Sequence, residues 1–400
     1  MKKVVLTALT LAALVFTGCS SDDDVALNPN GGGNPDGGTS GDGIITSTDD
    51  EDFKPSDLKG DVNGNIKLVA GTEYTLTGPL RIKEGTTLEI EAGTTIKATA
   101  GGSDVFVAIE RGAKIEAIGT ASAPITFTSS ASNPRSGDWG GIVIAGKAPS
   151  NVGADAQTEV AGLKYGGTVA DDNSGTLRYV RVEYSGGKAD GQSENNGFSF
   201  YGVGNGTTVE YIQMFEGKDD GVEFFGGTVN VNNVSIVNAE DDSIDWTEGY
   251  SGTITDAYVK HGTDHDKGIE ADGYNTDIGN LSDPKFFSKP TVTHLTIEGL
   301  GSGTANEAIR LRAGTQGIFN NVLLIGFAEG FDLDGDATDN PTGNGVTSGD
   351  LKATDVKFED VTVKVKNDTG VAFTTADFMT ENAAATGTDY ATWGAGWTRE

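Results

Sequence analysis

A chain of 400 residues with a formal charge of −31 argues against nucleic acid or an anionic membrane surface as partner, since its field repels both. Its single cysteine leaves no disulfide framework and no thiolate cluster. The 59 glycines, with plentiful Val, Ile, Thr, Asn and Asp, suit turn-rich β structure.

The chain opens with Lys2 and Lys3, then an apolar run from Val4 to Phe16. That run is too short to span a membrane and reads as an export signal. It ends in FTGC (16–19), which resembles a bacterial lipobox. The resemblance implies cleavage before Cys19 and acylation of its sulfur and new amino group, and several acyl chains make a stable anchor. An ordinary secretory signal with a chance cysteine is the alternative. SSDDD (20–24) resembles the surface-export signal of Bacteroidota lipoproteins, which implies the outer face of the outer membrane. From Asn28 to Gly43 almost nothing can be buried, so this stretch predicts a flexible linker. The expected organisation is a signal peptide (1–18), a lipidated Cys19 with linker (19–57) and one folded domain (58–400).

Within the domain, 74–101 and 106–130 read as short alternating strands punctuated by glycine turns. They resemble the opening rungs of right-handed parallel β-helices. GDWGGIVIAG (137–146) is a buried strand run, 147–175 a loop-rich excursion, and TLRYVRVEYSGG (176–187) a return to strand. Then NNGFSFYGVG (195–204), DDGVEFFGG (219–227), EDDSIDWTEG (240–249) and HDKGIEADG (265–273) repeat one pattern of polar turn and short strand. Alternation sends Val222/Phe224, Ile244/Trp246 and Ile269/Ala271 inward. Ser199, Glu223, Asp245 and Glu270 then share one outward place, which EAIRLRAG and EGFDLDG continue with Arg310 and Asp332. A repeat of this length cannot close its own core and predicts a stacked solenoid. The tail, ending TWGAGWTRE (392–400), is expected to cap the open end. The fold class is therefore all-β, a right-handed parallel β-helix with loop excursions. GDWGGIVIAG, NSGTLRYVRVEYSGG, DDGVEFFGG and EDDSIDW together resemble the uncharacterised β-helix surface lipoproteins of Bacteroidota and some marine proteobacteria. That resemblance implies fold and location and carries no catalytic residue over.

Strands in successive rungs lie about 4.7–4.9 Å apart, so Glu223, Asp245 and Glu270 should stack as like charges. One reading is a solvated acid column. Another is calcium held by Asp219, Asp220, Glu223, Asp241, Asp242 and Asp245, because oxygens of adjacent rungs can share an ion. The 219–245 end is expected to lack basic neighbours, whereas Lys267, Arg310 and Arg312 balance the far end. The catalytic alternative is a calcium-dependent polysaccharide lyase, for which a broad resemblance to β-helix lyases implies Arg310 as base, or a glycoside hydrolase working with an acid pair such as Asp245 and Glu270. No cofactor other than calcium is indicated. HGTDHD (261–266) reads as a polar turn rather than a zinc site, and DLDGDATDN (332–340) has alternating acids without EF-hand flanks. Tyr201 and Phe225 face outward, either as a sugar-stacking platform or packed under a loop. The functional expectation is a non-enzymatic binding or structural lipoprotein. Glycan or nutrient capture beside an outer-membrane transporter is its most concrete form, resting on location and fold analogy.

Overall fold

The structure is a computed structural model, which describes residues 43–188, 195–276, 284–304, 306–335 and 339–400. Cys19, the expected signal peptide and the first part of the expected linker lie outside the described residues. Gly41–Glu400 forms one compact unit. Twenty-three of its strands join a single parallel ladder; among the described residues the antiparallel pairings are the hairpin Ala156–Gln157/Lys164–Tyr165 and the isolated bridge Thr120–Ala123. This is the right-handed parallel β-helix expected from the repeat. Among the described residues no helix is long and apolar enough to cross a membrane.

Each later rung combines a four-residue strand with a long bent one. Val222–Phe225 stacks on Ile244–Thr247, which stacks on Ile269–Asp272. The long strands Thr208–Gly217, Asn230–Ala239 and Thr253–Lys260 stack likewise. Their bend falls at one place in every rung, where Tyr179, Tyr211, Asn233, Asp256, His294, Asn321 and Asp355 all take a left-handed φ between 49° and 57°. Asn, Asp and His tolerate that conformation better than other non-glycine residues, which suits five of the seven positions. Inward columns such as Val222–Ile244–Ile269–Ile309–Phe331 are almost wholly buried.

Two expectations change. Residues 44–57 are not linker: Ile44–Ile45 pairs with Asp61–Val62, and Pro55–Asp57 forms a helical turn. Two apolar residues suffice to add a strand to an open edge, so composition alone set the boundary too late. The tail does not cap the end of the solenoid. Phe378 of the short helix Thr375–Phe378 lies buried there, 5.2 Å from the Phe331 ring. Residues 386–399 instead run back along the flank. Tyr390 stacks on Tyr258 at 3.8 Å, and Trp397 meets Tyr179 edge-on at 5.3 Å. Arg181 donates to Trp397 O at 2.7 Å, and Arg399 pairs with Glu183 at 3.0 Å.

Candidate metal centre

The outward place is a continuous column. In register it runs Ile44, Asp61, Arg81, Ala108, Val143, Ser199, Glu223, Asp245, Glu270, Arg310, Asp332 and Lys366. Its apolar middle is covered by the excursion after Ala145. Val160, Leu163 and Tyr165 pack on Phe106, Val143, Tyr201 and Phe225. Tyr201 and Phe225 do stack, at 3.9 Å, but both are buried beneath that loop. The pair is therefore lateral packing and not an open sugar platform. Ser150 and Tyr165 fasten the excursion by donating to Glu248 Oε2 at 2.9 and 2.5 Å.

Beyond the excursion the column opens into a cleft of about 190 Å³, lined among others by Glu159, Asp220, Glu223, Asp241, Asp245 and Arg312. That is below the roughly 300–1,000 Å³ of pockets that enclose small organic ligands. All six predicted metal-site acids line it, but they are not equivalent. Lys188 lies 3.2 Å from Asp219 and 3.9 Å from Asp241, so the expectation of no basic group at this end is corrected. That lysine arrives from beyond the strand and carries no repeat signal. Asp242 Oδ1 accepts the Lys267 amide at 2.7 Å and faces its ammonium at 3.7 Å. Asp220, Glu223 and Asp245 form no ion pair among the described residues, and they can bring three oxygens within 4.8 Å of one another.

The turn acids also organise the backbone. Asp220 Oδ1 accepts the Asp242 amide at 2.9 Å, so each turn carboxylate pins the next rung. Asn196 donates to Glu223 Oε2 at 2.6 Å. Asn195–Asn196 occupies the turn that the Asp–Asp pairs fill below it, and the repeat alignment already held that signal. Burial first, then neighbouring carboxylates, holds Asp220, Glu223, Asp242 and Asp245 well above the usual carboxylate range. Asp245 Oδ1 is shut from solvent and accepts no hydrogen bond. An orphaned carboxylate oxygen among acids that resist ionising fits a hard cation, whose oxygen ligands calcium takes six to eight at a time. Glu159 comes from the excursion, and no periodicity marks it.

The arginines are already engaged. Arg312 pairs with Glu270 and, at 2.6 Å, with Asp272. Arg310 lies 3.1 Å from Asp334, 3.6 Å from Asp332 and 3.6 Å from Glu307. Burial pulls Arg310 down, but Glu307, Asp334 and Asp332 outweigh it and hold the guanidinium charged. The suggested trio Arg310, Asp245 and Glu270 thus shares one column, with Arg310 and Glu270 fixed in the minus–plus–minus sandwich. Asp332 and Asp334 of the 332–340 stretch serve Arg310; residues 336–338 lie outside the described set. His261 is buried, its ring 4.1 Å from that of His265 and tilted 34° to it.

A family model described as a pectate-lyase-like β-helix domain matches residues 60–398. The chain belongs to that family. Comparison with curated proteins finds no match, and neither does comparison with solved structures. A pectate-lyase-like β-helix fits a polysaccharide-related role.

Proposed function

We propose that this chain is a lipid-anchored, surface-displayed outer-membrane protein with a non-enzymatic, polysaccharide-related binding role, and that Asp220, Glu223 and Asp245 hold a calcium ion. The convergence of three cleft-lining carboxylates without ion pairs, one with an orphaned oxygen, carries the metal reading. The small cleft and the fully engaged arginines support binding over catalysis. Cys19 with its lipobox-like context supports the anchor. The lyase reading needs Arg310 to give up a proton that three carboxylates hold in place.

Melting with chelator, magnesium or calcium tests the ion. Saturation at 100 times Kd stabilises by about 2.7 kcal/mol, which is roughly 3–4 °C for a domain of this size. Asp245→Asn should abolish that shift and leave the calcium-free protein as stable or slightly more so, because a like charge is gone. No shift in the wild type would overturn the metal reading. Unsaturated or hydrolysed products from a polysaccharide panel, lost in Arg310→Ala, would overturn the non-enzymatic one. Cys19→Ala protein that stays in the membrane fraction would overturn the anchor.

A further inference from the structure

We infer that a second cleft, towards the N-terminal end of the outward column, binds the phosphate group of a small phosphorylated molecule. It lies between Arg81, Lys83 and Glu110 on the rungs and Leu163 and Lys164 on the excursion hairpin, with a volume of about 530 Å³. That falls within the range of sites that enclose small organic ligands. Arg81 stands four rungs from Glu223 in the column, about 19 Å at the rung spacing. The Debye length at physiological salt is about 8 Å, so the acid ladder is screened from this cleft.

The cations of this cleft are of two kinds. Lys83 pairs with Glu110 at 2.5 Å and lies 3.6 Å from Asp61. Arg111 pairs with Asp155 at 3.0 Å and donates to Ala154 O and Gly166 O. Glu84 takes Lys147 at 3.2 Å, so each acid on the walls already has a lysine. Arg81 and Lys164, by contrast, form no ion pair among the described residues. Arg81 gives one Nη1 hydrogen to Ala161 O at 2.7 Å and lies 5.3 Å from the centre of the Phe106 ring, which together fix its guanidinium plane. Four of its five donors are left for a ligand. Lys164 brings an exposed ammonium from the hairpin wall. Donors arriving from two walls suit a phosphate monoester, whose three free oxygens point apart, better than a carboxylate, whose two share a plane. Asp61 and Glu110 then meet the rest of the ligand, where carboxylate oxygens accept from hydroxyls. The class that fits is a phosphorylated polyol such as a sugar phosphate.

Calorimetric titration of the full chain in calcium-free buffer tests this, with glucose-6-phosphate, inorganic phosphate, glucuronate and glucose as probes. Glucose-6-phosphate should bind one molecule per chain, inorganic phosphate more weakly, and glucuronate about tenfold more weakly or worse. Lys164→Gln, a change at an exposed side chain, should weaken glucose-6-phosphate binding about tenfold or more, since a hydrogen bond to a charged group is worth at least that factor. Lys352→Gln removes the same charge from an exposed position in the last long strand and should leave binding unchanged. Absence of binding by both phosphate compounds at millimolar concentration overturns the site. Glucuronate bound as tightly as glucose-6-phosphate overturns the phosphate preference, and equal effects of the two lysine variants overturn the location. The titration holds no calcium, so the metal reading stands or falls separately.

Discussion

His261 sets a limit on acid stability that follows from its surroundings. The residue is 4% exposed, lies 5.3 Å edge-on from the Phe327 ring, and has no well-formed hydrogen bond at either ring nitrogen. Burial, then the neighbouring His265, pulls its pKa down to about 3, against the Lys267 backbone and Asp266. The unfolded chain ionises this imidazole near 6.5, so it takes up the proton first as pH falls. A depressed folded pKa means the stability is complete above about 6.5 and is lost progressively towards about 3. Each pH unit in that window costs about 1.4 kcal/mol, so the step from pH 7 to pH 5 costs about 2 kcal/mol. His261→Phe keeps an aromatic ring against Phe327 and removes the proton site. Urea unfolding of both proteins at pH 7 and pH 5 should show the variant losing about 2 kcal/mol less over that interval. Parallel losses in the two proteins, or a resonance assigned to the His261 imidazole titrating near 6.5, would refute the argument.

Ile244→Asp should be severely destabilising, by more than about 4 kcal/mol, because Val222 and Ile269 sandwich the position and offer no partner; loss of a cooperative circular-dichroism melt is the check. Arg312→Ala should cost roughly 3 kcal/mol by removing the guanidinium that Glu270 and Asp272 share, Glu270 keeping its Lys267 contact at 3.0 Å, with Arg312→Lys recovering only part, measured as chemical unfolding midpoints. Trp397→Ala should loosen the flank strap and speed proteolytic cutting within 386–399 several-fold, with little change in far-ultraviolet circular dichroism.

The solenoid was legible because a residue's place in a repeat is also its place in a column. Ser199, Glu223, Asp245, Glu270, Arg310 and Asp332 fell in register as their spacing required. Upstream, Asp61, Arg81, Ala108 and Val143 continue that column, but the excursion breaks the spacing and hid the continuity. The candidate site was legible only in the part built from repeats. Glu159 and Lys188 reach it from segments outside the rungs, where sequence separation says nothing of distance. The tail shows the same limit: its tryptophans announced burial, but Tyr179 and Tyr211, which receive Trp397, are the atypical members of the bend column.

Residues 386–399 also impose an order on assembly. Rung-on-rung contacts join residues about one turn apart and can accumulate as the chain emerges, each closing a short loop. The Arg399–Glu183 contact spans 216 residues and cannot form until every intervening turn is in place. Closing such a span costs about 5 kcal/mol of chain entropy, so the strap forms late, on a finished flank. It thereby acts as a seal of completeness. A molecule stalled part-way would display Tyr179, Tyr211 and Tyr258 as a bare aromatic row, a mark by which quality-control proteases can tell it from one whose rungs are all stacked.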